Sequence, residues 1–135
     1  MNSFPRLLSI VLATIIVFQS GVIAPSVNVS LSAEGARVFL RFIWPIFFAL
    51  IGTISSASLL GSLIKQKKRS VIINALTVGC MLTCYLLVPS INAAMDSGNI
   101  ELWASLHKVT VGLTSLSLML HLIYVFRWYV KDSNG

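Results

Sequence analysis

The sequence predicts an all-α integral membrane protein: a single domain, residues 1–135, of four transmembrane helices in an up-down-up-down bundle. Three observations predict it. The chain is 56% hydrophobic and only 10% charged, with a mean hydropathy of +0.88, whereas a soluble domain carries about 25% charged residues. Four apolar runs each approach or exceed the ~20 residues that span a bilayer. The links between them are short, which forces neighbouring helices to run antiparallel.

The first run extends from about Leu7 to Ala24. Arg6 and the Val22-Ile23-Ala24 triplet imitate a signal peptide, but Pro25 would follow the cut and disfavour it, and the apolar run is longer than an ordinary signal core. The run is therefore expected to be a retained helix, followed by a loop from Pro25 to Leu31. The second run, about Val38 to Ile64, exceeds one crossing. Ser32 can cap a helix starting near Ala33, with Glu34 suited to its first turn. Arg37 and Arg41 then lie one turn apart near the surface, where long cationic side chains snorkel, and Pro45 is expected to kink or tilt the helix. The third run, about Val71 to Ile91, follows the KQKKR segment at 65–69, with Pro89 and Asn92 expected to bend and close it. The fourth, about Trp103 to Phe126, follows a link from Asn92 to Glu101.

Charge sidedness orients the bundle. With four crossings the N-terminus, the middle link and the C-terminus share a face, which holds Arg6, Lys65, Lys67, Lys68, Arg69, Arg127 and Lys131. The opposite face holds Arg37, Arg41 and Lys108. Seven cations against three predict an inner (plasma) membrane protein with both termini cytoplasmic. Trp128 and Tyr129 fit an inner aromatic belt, Trp44 and Trp103 an outer one. The net charge of +6 and pI of 9.8 are thus a topology signal. No exposed face is left for a basic patch interleaved with aromatics, so nucleic acid is not a predicted partner. The predicted partner is the lipid bilayer, with a larger membrane complex or a homo-oligomer beside it.

The fourth run carries the most informative pattern. His107, Thr110, Thr114, Ser117 and His121 recur at spacings of three and four, which puts them on one stripe in an otherwise apolar helix. Lipid does not select such a stripe, and a bundle interior does. Hydroxyls in spanning helices commonly serve packing and backbone bonding, whereas ionisable groups there are functional hypotheses. His107 lies near Asp96 and Glu101 of the outer link. His121 is expected to make a polar contact at the opposite interface. The two histidines are about 21 Å apart along one helix, so they cannot share a metal. Two bis-histidine haems would need four axial histidines, and the chain has two.

Cys80 and Cys84 share a face of the third helix and are soft ligands suited to Cu(I); the competing reading is of buried thiols behaving as small hydrophobes. No resident cofactor is predicted. A single haem on His107, and copper on Cys80 and Cys84, stay open as alternatives. The second helix is rich in small residues, including the pairs Gly52/Ser56 and Ala57/Gly61, which permit close helix approach. HExxH, GxSxG, phosphate-cradling glycine loops and paired carboxylates within the spans are all missing, so an enzyme is not the favoured class, and the lack of a carboxylate in the spans argues against a proton-driven pump.

Several segments resemble a known family. Ala24-Pro25, then Arg41 with Trp44-Pro45-Ile46-Phe47-Phe48, Pro89 with Asn92, and Leu106-His107 with its polar stripe are similar to the family of domain of unknown function 4149, across Gly21 to about His121. Where that pattern has an asparagine further along the fourth helix, this chain has Leu113-Thr114. The resemblance implies a small four-helix membrane protein with no established reaction. A eukaryotic relative's link to platinum tolerance implies export or soft-metal handling, for which Cys80, Cys84 and His107 are the available residues. The leading expectation is a non-catalytic bundle with its working face on the periplasmic side, lined by Arg37, Arg41, Trp44, Pro89, Asn92 and His107, acting as an accessory subunit or binding a small ligand. The alternatives are a small transporter or soft-metal protein, and a membrane oxidoreductase acting on a lipid-soluble substrate through His107.

Overall fold

The computed structural model describes residues 4–133, with side chains through Arg127. The aromatic belt expected at Trp128 and Tyr129 lies outside the described side chains. The described backbone is helical, without strands: α1 (Phe4–Phe18), a π-helical turn (Gln19–Ile23), α2 (Ala24–Ser30), α3 (Ala33–Ile64), α4 (Lys68–Asp96) and α5 (Ile100–Ser133). Four helical stretches are long and apolar enough to cross a membrane: Phe4–Ser30, Ala33–Ile64, Lys68–Asp96 and Ile100–Arg127. They form a closed four-helix bundle in which α3 packs on α4, α4 on α5, α5 on α1, and α1 back on α3.

The first stretch corrects one expectation. Pro25 does not open a loop; the helix continues to Ser30, and the connection shrinks to Leu31 and Ser32. Proline has no N–H, and its ring crowds the carbonyl four residues back. The chain absorbs both defects by widening the preceding turn, where the Ala24 N–H reaches the Gln19 carbonyl, five residues back instead of four. Ser32 then caps α3, its Oγ accepting the Gly35 N–H at 3.2 Å.

A second correction concerns Pro89. It stands inside α4, which runs seven residues past it to Asp96, and Pro45 likewise stands inside α3. Neither proline ends its helix, and Asn92 does not close α4. The remaining links are correspondingly tight. Gln66 adopts φ 52° between α3 and α4, and Gly98 adopts φ 71° between α4 and α5. A left-handed residue reverses the chain in few steps; glycine takes that conformation freely, whereas glutamine does not.

Packing divides the interior into two zones. The apolar zone joins Leu12 and Ile16 of α1, Phe47, Phe48 and Ile51 of α3, and Cys80, Met81 and Cys84 of α4. The polar zone holds Ser9, Ser55, Ser58, Ser62, Ser70, Asn74, Thr77, Thr110, Thr114, Ser117 and His121, all buried. Large apolar side chains turn outward instead, among them Phe42 (68% exposed), Ile64 (83%), Leu86 (65%) and Phe126 (67%). Hydrophobes outside and hydroxyls inside reverse the arrangement that water selects.

Candidate functional site

The buried polar zone is built from stripes at helical spacing. On α3, Ser55, Ser58 and Ser62 are three and four residues apart. On α4, Ser70, Asn74 and Thr77 follow spacings of four and three; on α5 the stripe is Thr110, Thr114, Ser117 and His121. Such spacing keeps each set on one helical face.

The stripes meet through side-chain bonds. Ser62 Oγ and Ser70 Oγ are 2.7 Å apart and tie the end of α3 to the start of α4. Asn74 Nδ2 donates to Ser70 carbonyl and Oγ at 2.8 and 3.2 Å. One turn further on, Thr77 Oγ1 donates to the Ile73 carbonyl at 3.0 Å and lies 3.1 Å from His121 Nε2. The other ring nitrogen, Nδ1, is 3.1 Å from Ser9 Oγ on α1. Thr77 has one hydroxyl hydrogen, and Ile73 takes it. Nε2 therefore carries the hydrogen shared with Thr77, and in a neutral ring Nδ1 accepts from Ser9. His121 thus joins three helices, at 0% exposure. It faces the other helices, as its place on the stripe predicts, and α1 and α4 close over the ring.

Ser117 Oγ donates to the Leu113 carbonyl and Thr110 Oγ1 to the His107 carbonyl, so these hydroxyls serve their own helix. Among the described residues, four buried polar atoms have no protein partner: Gln19 Nε2, Ser55 Oγ, Ser58 Oγ and Asn74 Oδ1. From the sequence, Ser55, Ser58 and Ser62 read only as small packing residues and Asn74 and Thr77 only as a stripe beside the cysteines, while Ser9 and Ser70 are not singled out. Their signal was present, however: the three-and-four spacing that marks α5 also runs along α3 and α4.

At the other end of the bundle the expected working face is distributed rather than gathered. Arg37 forms a bidentate pair with Glu34 on its own helix, at 2.8 and 2.9 Å. Arg41 crosses to Asp96 at the end of α4, at 2.6 and 3.1 Å. Trp44 packs against the apolar core, stacked on Phe48 with centroids 5.7 Å apart and edge-on to Phe47 at 5.4 Å. Pro89 is exposed and Asn92 half-buried. His107 is half-buried and lies parallel to Trp103, with centroids 5.2 Å apart and planes 5° apart. Both cysteines are free and buried, and the Cys84 thiol points to the Thr110 carbonyl at 3.8 Å. Among the described residues, no three His, Cys, Asp or Glu side chains come together as a metal cluster.

A groove runs along the outside of α3 and α4. Its lining includes Ala49, Gly52, Thr53 and Ser56 from α3 and Leu82 and Tyr85 from α4. Thr53 and Ser56 return their hydroxyls to the Ala49 and Gly52 carbonyls at 2.8 Å each, which leaves the groove surface apolar.

The fold and its interior define a class: a four-helix bundle of membrane-crossing length with a hydrogen-bonded polar core. No protein-family model, curated protein or solved structure matches the chain.

Proposed function

We propose that this chain is a non-catalytic inner-membrane protein that serves as an accessory subunit, docking beside a helix of a larger membrane protein. Its four helices cross the bilayer up-down-up-down, with both termini and the Lys65–Arg69 turn in the cytoplasm. The distribution of polarity carries the reading. Large apolar side chains cover the outside, while the imidazole of His121 and the hydroxyls around it bond to one another across helices. Such an interior fixes how the rods pack and leaves the outer faces for recognition.

The α3–α4 groove is the face suited to a partner helix. The short side chains of Ala49, Thr53 and Ser56 let a second backbone come close, and van der Waals packing is what drives association between helices in lipid. Kinship to the domain of unknown function 4149 family accompanies this proposal, on the strength of the Trp44–Phe48 and Leu106-His107 segments.

The test is purification in mild detergent, from the native membrane, of the wild-type chain and of a Thr53→Leu/Ser56→Leu variant. The expected result is co-migration with a larger membrane protein that the groove-filling variant loses while its own melting temperature is kept. A wild-type chain that migrates alone, or a variant that holds the same subunit, overturns the reading.

A further inference from the structure

The unpaired polar atoms of α3 and α4 fall in register. The Ser62–Ser70 pair, 2.7 Å apart, fixes how the two helices face each other. One turn back along α3 and one turn onward along α4, Ser58 meets the level of Asn74. Three residues further on each helix, Ser55 meets the level of Thr77. The register persists beyond, where a Cβ on Gly52 would lie 3.7 Å from Met81 Cβ. Ser55 Oγ, Ser58 Oγ and Asn74 Oδ1 are the unpaired atoms on this facing surface. Their residues are 0%, 2% and 1% exposed.

The chemistry of the three atoms specifies their ligand. Asn74 already donates through Nδ2 to Ser70, so its Oδ1 can only accept. Each serine hydroxyl brings a hydrogen to give as well as lone pairs to fill. On the outer side of the same helix, Thr53 and Ser56 pass their hydrogens to the carbonyl four residues back; Ser55 and Ser58 do not. The site therefore needs a small species that both donates and accepts. A metal cation would accept lone pairs but leave the serine hydrogens unmatched, and among the described residues no three His, Cys, Asp or Glu side chains gather to hold one.

We propose that α3 and α4 hold a buried water cluster between Ser55, Ser58 and Asn74. Buried water occupies such positions because it makes several hydrogen bonds at once to groups that the protein leaves unpaired. The cluster joins the Ser62–Ser70–Asn74 chain to the Thr77–His121–Ser9 chain. The polar zone then becomes one continuous hydrogen-bonded path from the basic turn to α1.

Two measurements on the full chain in lipid test this. In water-edited solid-state NMR, magnetisation from water should reach the Asn74 side chain and the Ser55 and Ser58 signals faster than it reaches Leu12 and Ile16. Equal, slow build-up at all of them overturns the proposal. In thermal unfolding, Ser58→Ala should lower Tm by about 3–6 °C, because the variant gives up a hydroxyl that water had satisfied. An unchanged or raised Tm would mean that the hydroxyl was unpaired, and overturns it. Both are repeated in sodium chloride and in choline chloride. Matching values support water, and a Tm raised by sodium alone replaces water with a cation.

Discussion

His121 Nε2 and Thr77 Oγ1 lie 3.1 Å apart in the bundle interior, although 44 residues separate them in the chain. The contact links α5 to α4, and Ser9 on the far side of the ring links both to α1. Removing one member of such a bond leaves the other buried without its partner. A double-mutant cycle with His121→Phe and Thr77→Val separates the bond from the packing. The expected coupling is about 0.6–1.7 kcal/mol, the range for hydrogen bonds between spanning helices. The double variant should lose less stability than the sum of the two single losses, by the coupling energy. Chemical or thermal unfolding in detergent checks this, and a coupling near zero would mean that the bond contributes nothing to stability.

The Arg41–Asp96 pair should behave differently. It also joins two helices, bidentately, but its side chains are 35% and 53% exposed. Exposed pairs are worth roughly 0.2–1 kcal/mol and are screened by salt. Asp96→Asn should therefore lower stability by less than about 1 kcal/mol, and the loss should shrink in high salt. A larger, salt-insensitive loss would reveal a desolvated pair.

The two cysteines should resist modification in the folded state. Both are free and buried, Cys84 at 0% exposure. A maleimide of several kilodaltons should leave them unlabelled in mild detergent and label both in hot SDS, read as two mobility shifts on a gel. Rapid labelling of the folded chain would contradict the packing of α4 against α3 and α5.

How far the sequence carries can be judged from particular residues. Spacing alone marks His107, Thr110, Thr114, Ser117 and His121 as one face of α5; the last four are buried, and His107 is half-buried. What spacing does not reveal is what closes over that face. A polar contact for His121 could be expected from its place near one end of the apolar run, but its partners, Ser9 and Thr77, come from distant parts of the chain. The stripes on α3 and α4 have the same spacing, yet serine and threonine read equally well as small packing residues. Pro25 shows a different limit. The missing N–H is visible in the sequence, but the π turn that accommodates it depends on backbone geometry upstream. Arg37 and Arg41 could be placed near a surface, whereas the choice of Glu34 and Asp96 as their partners needed the helix ends in three dimensions.

The link between α3 and α4 offers a stabilising change. Gln66 holds φ 52°, a left-handed conformation in which Cβ crowds the following carbonyl. Glycine has no Cβ to crowd. Gln66→Gly should raise stability by about 0.5–1 kcal/mol, less whatever extra freedom glycine adds to the unfolded chain. The matching control is Gln66→Val, since a β-branched residue suits this region least; it should destabilise. If valine is tolerated as well as glycine, the turn is not held in the left-handed region.

Topology gives the remaining prediction. With the proposed four crossings, seven of the sequence's Lys and Arg fall on the side of the termini and the Lys65–Arg69 turn, against Arg37, Arg41 and Lys108 on the other. The rule that cations stay inside acts during insertion and counts charges close to the span ends. A fluorescent-protein fusion after Gly135 should therefore light up in the cytoplasm. Alkaline phosphatase inserted at Gly98 should be active and, in the 65–69 turn, inactive. Neutralising Lys65, Lys67, Lys68 and Arg69 together removes four of the seven inner cations and leaves the two sides at three each, so part of the population should invert and light up the reporters in mixed fashion. An active phosphatase in the wild-type turn would reverse the proposed orientation outright.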